Sequence, residues 1–256
     1  MTAEHHVFTF VLILSRVSAF IAFLPLFAHK QLPSMVKAGF SVALTLFWFG
    51  ILPKELYVKA DINLVTSVVL IAKEIGIGFL LATLLGFMFV PARIAGAYVG
   101  QEVGLSLASV ASPVGGTDSS TLVTTIFETL AVLLFFGLNL HHFIIVFLHV
   151  SLVQLAGKIN LTDLPTELMV HSAASLSEFG MLIIGPVGLC MFVLTVGLAL
   201  LNKAAPTLNL FSVGMSLRSG LGILCMVLFM PVIIKTMQMF FLRYQSDLEL
   251  FLMYFE

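Results

Sequence analysis

Nine ionisable side chains stand inside or beside apolar runs: Arg16, Lys73, Glu74, Arg93, Glu102, Glu128, Glu178, Arg218 and Lys235. On insertion scales, a charge at the bilayer centre costs about 2.5–3.5 kcal/mol, so such residues pair with one another or face a wet cavity. Two chemistries are therefore open: an ion or proton path, or pairing between helices. So many charges over so few apolar segments favour a chain surrounded by other protein subunits rather than by lipid alone. His141, His142 and His149 suggest a metal site at first glance. His142 and His149 share a helix face, but His141 points elsewhere and no acidic or Cys partner stands at ligand spacing, so they read as helix-end or packing histidines. Cys190 and Cys225 lie in apolar runs with no CxxC and no Cys/His cluster; they read as small buried hydrophobes, with neither a metal site nor a disulfide expected. No nucleophile elbow, phosphate loop, HExxH or dinucleotide fingerprint occurs. No catalytic residue, metal or cofactor is expected.

The stretch that breaks the apolar pattern is 93–120, small and polar in an oily chain. Gly96, Gly100 and Gly104 recur every fourth residue and would form one bare stripe on a helix, which lets another backbone approach closely. The stripe leads into a segment holding Ser106, Ser109, Ser112, Pro113, Gly115, Gly116 and Asp118, which is loop chemistry. Such a loop is either an ordinary extramembrane connection or a re-entrant plug. Irregular backbone at membrane depth persists only where protein buries it or water lines it.

These residues must be positioned by apolar helices. Of 256 residues, 60% are hydrophobic and 10% charged, with mean hydropathy +1.13. Soluble domains carry about 25% charge, so this is an integral membrane protein or the core of a large apolar assembly. A formal charge of −1 gives no reason to expect nucleic acid. The N-terminus lacks a basic n-region and its apolar run contains Arg16, so it reads as a retained first helix. Six apolar segments follow in order: 7–27, 36–52, 64–90, 121–155, 168–201 and 211–242. Pro91 is expected to mark a kink or break and Gly185-Pro186 to kink its helix; the overlong 121–155 segment is strongly tilted, extends beyond the bilayer or bends near Asn139, and residues 243–256 read as a short amphipathic tail. On the last helix Ser212, Ser216 and Gly220 form a second small-residue stripe suited to helix packing. No separate soluble domain or internal repeat is visible. A secondary transporter for a small solute, with its site at the broken helices, is the competing reading of these segments.

Several patterns align together over nearly the whole chain. The first span carries Arg16-Val17 and Pro25, followed by Pro33-x-x-Val36-Lys37-x-Gly39. The centre carries Arg93-x-Ala95-Gly96-x-x-x-Gly100-x-x-x-Gly104-Leu105-Ser106, with Pro113 in the loop. Asn139-x-His141 follows, then Leu201-Asn202-Lys203-x-x-Pro206-x-Leu208-x-x-Phe211-x-x-Gly214-x-x-Leu217, with Pro231 in the last helix. This ordered set resembles the FliR/SctT family of type III secretion export-gate proteins. It departs from the family at Glu102, where Gln is common, at Ser216, where Pro is common, and at Thr207, where Gln is usual.

The resemblance implies an all-α, non-enzymatic subunit of the flagellar export gate, in the bacterial inner membrane at the flagellar basal body. It implies assembly with FliP-like and FliQ-like subunits and an FlhB-like subunit, contact with membrane lipid, and passage of unfolded flagellar substrates. It further implies that 106–120 plugs the closed channel. Within a single domain over 1–256, residues 1–186 would be FliP-like, and 187–256 would be a FliQ-like hairpin and tail. Such gates are held largely above the usual bilayer plane, which would explain overlong helices rich in charge.

Overall fold

The computed structural model describes residues 3–25, 33–52, 64–104, 122–154, 166–204 and 210–253. Within them the chain is α-helical, with no strand. In order it forms α1 (Ala3–Phe23), α2 (Ser34–Ile51), α3 (Leu64–Gly86), a 3-10 turn (Phe87–Phe89), α4 (Val90–Glu102), α5 (Leu122–Gly137), α6 (Leu140–Gln154), α7 (Thr166–Ala204) and α8 (Leu210–Met253). Five helical stretches are long and apolar enough to cross a membrane, and α5 with α6 makes a sixth if the broken pair is one span. Over its described residues, each of the six apolar segments expected from sequence is largely helical.

The breaks have local causes. Pro91 lacks an N–H and falls in the first turn of α4, where no helical partner is needed, so the 3-10 turn before it ends α3 and α4 restarts cleanly. Asn139 takes φ 59°, a left-handed conformation that Asn tolerates better than most residues, and this separates α5 from α6. α7 runs through Pro186 as one helix, so the proline at the expected kink does not interrupt it, and α8 runs through Pro231. Of the tail expected after residue 242, the described residues to Met253 are part of α8. Tyr244, Leu248 and Phe251 are buried at helical spacing, and Gln245 Nε2 donates to Glu249 Oε1 at 2.9 Å one turn on, so the helix face continues to Met253.

The chain divides into two compact units, each discontinuous in sequence. One holds Met1–Met88, Asn139–Met169 and Gln245–Glu256; the other holds Phe89–Leu138 and Val170–Tyr244. In the first, α1 packs on α2 and α3. Ile13, Val17, Phe20 and Leu24 recur at helical spacing and are buried, and Trp48 of α2 is almost fully enclosed. Phe10 meets Phe49 edge-on at 5.7 Å, and Phe23 meets Phe79 at 4.8 Å. In the second unit α4 packs on α5, with Ala92, Ala95 and Val99 facing Val123, Phe127 and Ala131 in the core. Phe89 stacks toward Phe135 at 5.6 Å and Phe241 at 6.2 Å.

Close approach in the first unit depends on Gly78. A Cβ there would run into the carbonyl oxygen of Arg16 and stand 3.1 Å from the Ala19 Cβ. Gly76, two residues earlier, has nothing within 4 Å of its Cβ position. Gly78→Ala is therefore expected to destabilise the protein by about 1–3 kcal/mol through overpacking against backbone. Gly76→Ala should be neutral or stabilising by up to about 1 kcal/mol from helix propensity. Thermal denaturation of the two variants in detergent checks this, and equal effects would count against it.

Candidate functional site

In the first unit the charges converge. Arg16 is 0% exposed and its Nε donates to Glu74 Oε2 at 2.5 Å, the Glu74 side chain being 4% exposed. Arg16 Nη1 donates to the backbone carbonyl of Ser151 at 2.5 Å. One guanidinium thereby joins α1, α3 and α6. Burying a lone guanidinium is prohibitive, and its planar fork of donors suits a carboxylate and a carbonyl approached from different helices. Glu74 and Gly78 are one turn apart on α3, so the same stretch of α1 places its side chain on a carboxylate and its backbone on a glycine.

The second unit repeats the pairing in a more open setting. Arg93 Nε of α4 donates to Glu128 Oε1 of α5 at 2.6 Å, with side chains 63% and 17% exposed. One turn along α4, a Cβ on Gly96 would lie 2.6 Å from the Thr124 Cα and 3.1 Å from the Phe127 Cβ. The α4–α5 backbones therefore touch where Gly96 stands. Gly100 is buried on the same face. Gly104 does not extend the stripe: its φ is +80°, it donates to the Gln101 carbonyl at 3.0 Å, and nothing lies within 4 Å of its Cβ position. It is the left-handed residue that closes α4.

Residues 105–121, and with them Ser106, Ser109, Ser112, Pro113, Gly115, Gly116 and Asp118, lie outside the described residues. The end of α4 that leads into them is anchored. Ser219 Oγ of α8 donates to the Val103 carbonyl at 2.9 Å, and a Cβ on Gly222 would collide with Val103.

The remaining candidates are scattered. Arg218 Nη2 donates to Thr195 Oγ1 at 2.9 Å across α7 and α8. Lys73 and Glu102 are half-buried, while Glu178 and Lys235 are exposed. Ser216 is exposed and Gly220 has open space at its Cβ position, while the side chain of Ser212 lies outside the described residues. Within the chain, the contact from α8 is made instead by Ser219 and Gly222, on a neighbouring face. The rings of His141 and His142 stand 4.1 Å apart, and among the described residues no group of three or more His, Cys, Asp or Glu side chains gathers at a metal-holding distance.

Sequence reasoning missed Ser151, Thr195, Ser219 and Gly222, whose roles depend on contacts distant in sequence. It missed one legible signal. Gly78, Ala82 and Gly86 are spaced by four along α3 and all are buried, with Gly86 2.8 Å from Pro25 at its Cβ position. That is a small-residue stripe of the kind recognised at Gly96 and Gly100.

Apolar helices of membrane length, charges paired between them and glycine-seated backbones define a polytopic α-helical membrane protein in which helix packing, not a reactive cluster, is the built feature. The family model for bacterial export proteins, family 1, matches residues 7–244, and the chain belongs to that family. It is similar to the flagellar biosynthetic protein FliR of Bacillus subtilis strain 168, 27% identical over 88% of this chain and 86% of the relative. It is also similar to FliR of Escherichia coli K12, 29% identical over 86% and 83%, and to the Yop proteins translocation protein T of Yersinia pestis, 25% identical over 86% and 85%. The chain is a membrane-embedded subunit of a type III export gate.

The buried node gives a direct test. Arg16→Met or Glu74→Met alone leaves a stranded buried partner and should cost about 3–5 kcal/mol, whereas the double Met variant should recover much of that loss. A double-mutant cycle on thermal stability reads the coupling; additive losses would show that the pair is not coupled.

Proposed function

We propose that this chain is the flagellar form of the gate subunit and that it lines and closes a channel for unfolded flagellar export substrates. The observation that supports this most directly is the α4–α5 hairpin: its backbones touch at Gly96 and Thr124, and its end is tethered to α8 at Val103, next to the loop 106–120. A stiff hairpin is what a plug needs as a base, because a loop can occlude a passage only if its supports do not yield. In this reading the loop closes the channel until substrate or assembly displaces it.

The partners proposed are FliP-like and FliQ-like subunits, one copy of this chain completing a ring of several FliP-like subunits, with an FlhB-like subunit alongside. The location proposed is the inner membrane at the flagellar basal body. The chain's role is structural and conducting, not enzymatic. Residues 1–186 would take the FliP-like place and 187–256 the FliQ-like place. This reading draws support from the apolar faces that α7 and α8 turn outward, where Leu189, Phe192, Val193, Leu224, Val227 and Leu228 are all exposed within the chain. Ser216 and Gly220 on the open face of α8 would seat a neighbouring helix.

Deleting 110–118 is expected to give a gate that leaks ions while retaining part of its export. Conductance of membranes carrying the assembled complex reads this, and unchanged permeability would count against the plug. Gly100→Leu should prevent close backbone approach and abolish recovery of the complex with its partner subunits on co-purification; recovery at the wild-type level would argue against that role.

A further inference from the structure

The α7–α8 hairpin brings together two groups that the export role does not use. Its rungs run antiparallel. Leu198 lies 3.6 Å from the Cβ position of Gly214, Thr195 accepts from Arg218 at 2.9 Å, and Phe179 stands 5.0 Å from Phe240. Residue numbers fall along α7 as they rise along α8. Between the second and third of these rungs Cys190 of α7 and Cys225 of α8 fall at matching positions, and the two thiols lie within each other's electrostatic reach. Both side chains are half-buried and both are free thiols. They are the only cysteines in the chain, 35 positions apart in sequence, and the hairpin places one against the other.

We propose that Cys190 and Cys225 are a disulfide-forming site in the middle of the α7–α8 hairpin. It is closed by a lipid-soluble two-electron oxidant, such as a membrane quinone or molecular iodine. The two S–H bonds break and one S–S bond forms. Two electrons pass to the oxidant, giving a hydroquinone or two iodide ions, and the two protons go to the hydroquinone or to water. Disulfides need their Cβ atoms close and their helices already in register. The Arg218–Thr195 bond and the Phe179–Phe240 stack supply that register from either side. The position within apolar helices selects the oxidant, because water-soluble oxidants do not reach thiols surrounded by hydrocarbon or protein. The disulfide would pin α7 to α8 and prevent the two helices from sliding past each other.

The experiment uses the full chain in native membranes, treated with molecular iodine, denatured, and tagged with a maleimide polymer that adds visible mass at each free thiol. The wild type should lose both taggable thiols together and regain both with dithiothreitol. Cys190→Ser and Cys225→Ser should each keep the one remaining thiol taggable after the same treatment and should run as single chains without reductant. The proposal is overturned if the wild type keeps both thiols, if either single variant loses its thiol to the same extent, or if oxidation yields a species of twice the chain mass. These readouts do not involve export, so they stand or fall separately from the gate reading.

Discussion

A guanidinium enclosed in an apolar helical unit sets the strongest constraint in the structure. Arg16 has no exposure, and its charge is matched by the Glu74 carboxylate and the Ser151 carbonyl. These partners come from two further helices, so the match holds only when α1, α3 and α6 keep one register. A slip of one residue on any of them would leave a charge buried without its partner, which costs far more than a lost van der Waals contact. The pair therefore contributes specificity of packing more than raw stability. The apolar residues around it, Ile13, Val17, Leu81 and Leu148 among them, would tolerate several arrangements by themselves.

The glycines complete that constraint. Arg16 reaches Glu74 at 2.5 Å while its own carbonyl rests against Gly78, so the ion pair and the backbone contact are set by one residue. The second unit shows the same association, with the Arg93–Glu128 pair one turn from the Gly96–Thr124 approach. The two differ in environment. A pair as open as Arg93–Glu128 adds about 0–1 kcal/mol when water surrounds it, and its weight would rise where other subunits exclude that water. In an export-gate subunit, two helix contacts of this kind fix the register of the helices they join.

The outer helices follow a different rule. Over its most apolar stretch, only 22% of the α7 span and 11% of the α8 span is buried inside the chain, against 56% for the span running from α3 to α4. Such long apolar faces are stable only against hydrocarbon or against other protein. The helices also run unbroken through Pro186 and Pro231. Proline inside a helix removes one backbone bond, a loss that membrane helices accommodate through neighbours and local adjustment of the backbone.

Much of this protein was legible in the chain. The six apolar segments, the restart at Pro91 and the break at Asn139 come from hydrophobic runs and single-residue backbone preferences, which act locally. The membrane class followed from composition, and the ordered motifs carried the family. The site was legible only in part. Gly96 could be read as a place of close approach because small residues at helical spacing imply it, but Gly104 belongs to the same sequence pattern and serves instead to end a helix. Sequence marked Arg16, Glu74, Arg93 and Glu128 as charges needing partners without saying which partner each would take. Pairing depends on which helices meet, and that is settled by the summed packing of faces far apart in sequence. The same reason hid Ser151, Gly222 and the meeting of Cys190 with Cys225. Local chemistry determined the elements and the demand for neutralisation; the tertiary structure alone decided which residue answers each demand, because a periodic stripe marks a face that will be packed but not which distant helix packs on it.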